Sequence, residues 1–172
     1  MMPMTHLVGA VGLTGWILGP DPLVLIAGVI GAVLPDLDEL HSPLGWRLAQ
    51  LLPNPAFGIG RQRTHSLVWS VFIAAVSWMI GLREELIAAL WIGWASHMVL
   101  DALTGGIPLW WPWSIGPEDR VRVASWRNAG FGDYVTCMLC VVGVGLVAWQ
   151  DHWVQSWAAM LQQAIVEGRG SR

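Results

Sequence analysis

Residues 86–103 read LIAALWIGWASHMVLDAL, an apolar run broken only by His97 and Asp101. An ionisable pair inside an apolar span is expensive to bury, and its default reading is functional. The two residues stand four apart, so on a helix their side chains project from one face, a turn apart. The stretch therefore predicts an apolar helix that carries a polar site near its C-terminal end. From His97 to Leu103 is six residues, which places the imidazole only ~9 Å from that end.

Four further apolar segments flank this one. Leu7 to Leu18 ends at Gly19-Pro20, Leu23 to Leu34 is halted by Pro35, Ser66 to Ile80 holds no charge, and Tyr134 to Trp149 closes the set. The first two are only ~18 Å long as helices, against a hydrocarbon core of ~30 Å. Of 172 residues, 55% are hydrophobic and 12% charged, about half the usual charge of a soluble domain. Mean hydropathy is +0.53. Lipid is a better solvent than water for such a chain. Backbone groups in lipid must be bonded internally, so the expected fold class is all-α, a multi-pass helical membrane protein.

The length suits one domain, with residues 1–150 as the helical unit and 151–172 as an interfacial amphipathic tail. Trp153, Trp157, Leu161 and Ile165 recur along that tail at helical spacing. The N-terminal run has no preceding Lys or Arg and is read as retained. Cys137 and Cys140 lie within an apolar segment and are read as helix packing. A formal charge of −3 argues against a nucleic-acid partner. There are thirteen Trp and, since all nine basic residues are Arg, no Lys, which hints at a GC-rich bacterial genome.

If all five segments cross, the N-terminus and the loops 36–64 and 104–133 share one side. Those loops hold Arg47, Arg61, Arg63, Arg120, Arg122 and Arg127, whereas the other side has Arg83 beside two Glu, with Arg169 and Arg172 far along the tail. The positive-inside rule makes the six-Arg side cytoplasmic. The expectation is thus a bacterial cytoplasmic (inner) membrane protein, with Trp110, Trp111 and Trp113 as an aromatic belt at the interface.

The same alternation brings His6, Asp36, Asp38, His65, His97 and Asp101 to that one face. Asp36 and Asp38 would point the same way if the chain is extended there. Three His and three Asp exceed what one tetrahedral zinc needs, so two or more divalent ions are expected, and the mixture suits Zn or Mn.

These motifs resemble the YdjM-type family of membrane-bound metal-dependent hydrolases, often described as LexA-regulated. The matching pieces are THLVGA at 5–10, LPDLDELHS at 34–42, RTHSLVW at 63–69 and SHMVLDALTGGIPLWWPW at 96–113. The family looks related in fold to zinc-dependent phospholipase C and the single-strand-specific zinc nucleases. The resemblance implies His6, Asp36, Asp38, His65, His97 and Asp101 as metal ligands, with Asp133 as a late acidic ligand. Relatives often carry His where this chain has Gly60 and Glu39, and His41 stands near to fill such a gap.

The leading expectation is a metal-dependent hydrolase of a phosphoester, with a lipid headgroup or lipid-linked phosphate as substrate. Asp36 or Asp38 would orient the attacking water or take its proton, and Arg120 or Arg122 would offer a fork of donors to phosphate. A second reading is a non-catalytic metal-binding membrane protein, an adaptor or stress factor. A third is a metal or proton transporter with His97 and Asp101 as a relay. Substrate identity and oligomeric state are not legible at this level.

Overall fold

The computed structural model describes residues 3–38, 63–113, 117–123, 131–150 and 153–170. Among them are helices α1 (Pro3–Leu18), α2 (Pro22–Val33), α3 (Leu67–Met79), α4 (Glu84–Ala102), α5 (Phe131–Gln150) and α6 (Trp153–Gly170). Two 3-10 turns, Leu34–Asp38 and Pro117–Asp119, complete the elements. The described residues contain no strand, only an isolated antiparallel bridge between Ile107 and Val121. The fold is all-α.

Local chemistry sets the helix ends. Gly19 takes φ +88°, a conformation that costs glycine little, and its N–H closes α1 on the Gly15 carbonyl at 2.9 Å. Asp21 then caps α2, accepting from the N–H groups of Leu23 at 2.8 Å and Val24 at 3.2 Å, with Pro22 just inside the start. Ser66 caps α3 by accepting from the Trp69 N–H at 3.3 Å. Glu84 and Glu85 stand in the first turn of α4, where carboxylates favour the positive end of the helix dipole.

Helix α4 is the centre of the bundle and packs against α1, α2 and α3, while α1 also meets α2 and α5. The tightest approach joins α2 to α4. A Cβ on Gly93 would overlap the Gly28 carbonyl oxygen, and one on Gly31 would overlap the Leu90 carbonyl oxygen. These helices meet backbone to backbone because no side chain stands between them, the packing mode of helices in lipid. Beyond α5, α6 lays Trp153 over Gly15 and donates the Trp157 Nε1–H to the Pro20 carbonyl at 2.6 Å.

The interior mixes apolar clusters, Val24, Ala27, Ala89 and Leu90 in one and Trp94, Met98, Ala102 and Ile107 in another, with buried polar side chains. Among the largest fully buried side chains are His65, His97, Thr14, Asp101, Ser66 and Ser70. Phe72, Trp78, Met79, Met138 and Leu139 are exposed. Buried ionisable side chains beside many exposed large apolar ones depart from the pattern of a water-soluble domain.

Five complete crossings do not follow from these helices. With 12 and 13 residues, α2 and α3 reach only ~18–20 Å. Among the described residues, no helix is long and apolar enough to cross a membrane. The apolar runs are real, but Pro35 and the turn at Gly81 cut two of them short, and α4 carries Glu84, Glu85 and Asp101.

Candidate metal centre

Four chain segments converge at one end of the bundle. His6 lies in the first turns of α1, one turn earlier in that helix than its apolar run suggests. Asp36 sits on the 3-10 turn after α2, His65 in the turn leading into α3, and His97 and Asp101 in the last turns of α4. His65 and His97 are wholly buried, and Asp101 and His6 nearly so at 1% and 4% exposure.

The rings are oriented by oxygen acceptors. His97 Nδ1 lies 2.7 Å from the Ala32 carbonyl, which can only accept, so Nδ1 carries the proton and Nε2 presents a lone pair. The Thr64 hydroxyl donates to the Pro35 carbonyl at 2.6 Å, so at 3.2 Å it accepts from His65 Nδ1. His65 Nε2 is thereby left with its lone pair as well. Neither Nε2 makes a hydrogen bond among the described residues, yet each faces Asp101 Oδ2 at 3.5 Å. His6 Nε2 approaches Asp101 Oδ1 at 3.3 Å, and His97 Nε2 also faces Asp36 Oδ1 at 3.6 Å.

Lone pairs turned toward carboxylate oxygens form a donor set that a divalent ion can bridge, with the His6 and His97 rings stacked at 3.9 Å between centroids. With zinc–ligand distances near 2.0–2.1 Å, two ligands of a tetrahedron stand ~3.3 Å apart. The observed separations of 3.3 to 3.6 Å match that edge. His6, His97 and Asp101 form one group of mutually close ligand atoms, and Asp36, His65 and His97 another. The residues fit a metal ion. His97 belongs to both groups, so the two donor sets adjoin one another.

The expected extended segment is instead a 3-10 turn, Leu34–Asp38, which carries Asp36 into the cluster, while the Asp38 side chain lies outside the described residues. Asp133 lies on the first turn of α5. Arg122 is exposed and donates from Nη2 to the Gly105 carbonyl at 3.3 Å, while the Gly105 N–H bonds the Asp101 carbonyl at 3.0 Å. These two bonds link Arg122 through Gly105 to the backbone of Asp101. Arg120 beside it is half-buried. Arg63, also exposed, lies over the Trp111 ring at 5.8 Å.

With this geometry in view, the comparison with known proteins is specific. A family model described as YdjM inner membrane protein matches residues 1–167. The chain belongs to the YdjM family. Among relatives, uncharacterized protein YvsG of Bacillus subtilis (strain 168) is 31% identical over 137 residues, covering 76% of this chain and 82% of its own length. Inner membrane protein YbcI of Escherichia coli (strain K12) is 33% identical over 116 residues, covering 60% of this chain and 64% of its own length. No solved structure matches the chain.

In this YdjM-family chain, the residues that aim the ligands had no signal as ligands. Ala32 acts through its backbone carbonyl, 65 positions from His97, which no side-chain pattern reports. Thr64 was visible as the first letter of Thr-His-Ser, and its hydroxyl does the orienting. Glu39, His41, Gly60, Arg47, Arg61 and Arg127 lie outside the described residues.

Proposed function

We propose that this YdjM-family protein is a membrane-embedded, metal-dependent hydrolase of a phosphoester carried on a lipid. The observation that carries the metal part is the pair of buried Nε2 lone pairs on His65 and His97, both turned to Asp101. His65, His97, Asp101 and Asp36 would hold one zinc, with His6 on the second oxygen of Asp101, and manganese would suit the same donors. A second ion would draw on His6 and on Asp38 or Asp133. The metal would supply a Lewis acid and a nucleophile from water near neutral pH.

The chain's own residues divide the remaining work. Asp36 has 22% of its side chain exposed, so among the metal-group residues it has the most contact with incoming water. It would orient the nucleophile or accept its proton. Arg122 donates to Gly105 alone among the described residues, and its guanidinium fork would clamp a phosphate beside the site. The inner-membrane family and the exposed apolar side chains support lipid surroundings, and the positive-inside rule would turn the Arg-bearing site end to the cytoplasm.

One observation favours a second reading. Three ligand histidines at 4% exposure or less resemble a closed structural site, where an ion ties helices together without turnover. A transporter gains less support. Among the described residues the buried ionisable side chains are His6, His65, His97 and Asp101, all at one end of the bundle, with no relay toward the other.

The deciding assay is turnover of bis(p-nitrophenyl) phosphate and of mixed phospholipid vesicles by detergent-purified protein with zinc or manganese. The hydrolase reading predicts metal-dependent release that falls ~10²-fold or more in Asp36→Asn. Folded, metal-loaded protein that turns over neither substrate would leave the structural-metal reading.

A further inference from the structure

We propose that the bilayer around this protein is thinned, because its apolar belt is matched to a hydrocarbon thickness of about 20 Å. The proposal rests on the membrane-embedded reading above and adds the kind of bilayer the surface fits.

The belt can be measured on separate helices. On α3 the exposed apolar side chains run from Val68 to Ile80, twelve steps or ~18 Å. On α5 the exposed apolar side chains among the described residues run from Tyr134 to Leu146, again ~18 Å. On α4 the stretch free of charge runs from Leu86 to Leu100, ~21 Å. Polar groups and tryptophans stand at both levels. The site end exposes Trp110, Trp113 and Arg122, and the far end exposes Trp78, Arg83 and Glu84. Tryptophan prefers the membrane–water interface, so the two levels bracket the belt.

Lipid, and not a protein partner, is the occupant that covers such a surface. Helix α3 packs on α4, α4 on α1, and α1 on α5, so α3 and α5 lie at opposite ends of a row. Their exposed faces, with Leu23 and Ile26 of α2, surround the bundle, whereas a second copy would cover one side. A typical hydrocarbon core is ~30 Å, so the belt falls ~9–12 Å short. Tilting cannot correct this, since tilt shortens a helix's projection further. The remaining responses are thinning of the bilayer and reach of flanking side chains such as Arg122 to the headgroups.

The full chain would be reconstituted into phosphatidylcholine vesicles with myristoleoyl, palmitoleoyl, oleoyl, eicosenoyl or erucoyl chains. Resistance to carbonate extraction reports insertion, and tryptophan fluorescence on heating reports stability. The proposal predicts greatest stability in the two shortest lipids and folded fractions on the order of tenfold lower in erucoyl vesicles. Val71→Arg, mid-belt, should lose insertion in every lipid, while Val123→Arg on the exposed site-end loop should not. Insertion with equal stability in all lipids, or a maximum at oleoyl or longer, would overturn the thinning proposal alone. Extraction from every lipid would overturn the membrane-embedded reading with it.

Discussion

Replacing Gly93 with Ala should open the helix pair that aims His97. The added Cβ would overlap the Gly28 carbonyl oxygen and stand 2.8 Å from the Gly28 carbonyl carbon and 2.9 Å from Ala32 N. Ordinary contact begins near 3.4 Å. Relieving the carbonyl carbon alone therefore requires ~0.6 Å of separation between α2 and α4, and the oxygen demands more. Ala32 rides on α2 and His97 on α4, so their 2.7 Å hydrogen bond would stretch to ~3.3 Å or beyond, past the usual range for N–H···O. Overpacking typically costs ~1–3 kcal/mol, offset by up to ~1 kcal/mol because Ala is the better helix former. The expected result is a loss of ~1–2 kcal/mol in stability together with weaker metal affinity. Urea unfolding in detergent and zinc titration would measure the two. A Gly93→Ala protein with unchanged stability and affinity would refute the claim that backbone contact at Gly93 sets the site.

Three further outcomes follow from the same geometry. Thr64→Val removes the acceptor of the His65 Nδ1–H while keeping side-chain shape, and should weaken zinc binding ~10–100-fold in a folded protein, read by competition with a chromophoric chelator. Trp153→Ala takes a 5%-exposed ring off Gly15 and should cost up to ~3–5 kcal/mol at that contact, freeing α6 to proteolysis while metal content is retained. Under the hydrolase reading, Arg122→Ala should lower kcat/KM for a phosphoester by ~10-fold or more with zinc stoichiometry unchanged, and Arg122→Lys should recover only part, because a point charge lacks the guanidinium fork.

The helical segments were legible because their ends are marked by residues with local physical consequences. Gly19 with Asp21-Pro22 separates α1 from α2, and Ser66 starts α3. The pairing of His97 with Asp101 was legible because helical spacing alone puts them on one face. What resisted reading was the conformation between segments. Nothing in Pro-Asp-Leu-Asp distinguishes an extended chain from the 3-10 turn that carries Asp36. Contacts over long sequence distance were equally silent. The bridge between Ile107 and Val121, and the bond from the Val123 N–H to the Ala102 carbonyl at 2.9 Å, fold the Arg122 loop back onto the site by backbone groups that every residue possesses.

The most direct test is elemental analysis of detergent-purified wild-type protein beside a His97→Ala, Asp101→Ala double variant, with circular dichroism to report helix content. The account predicts at least one equivalent of zinc or manganese in the wild type, lost in a variant that remains helical. Wild-type protein that binds neither metal after incubation with both would contradict it.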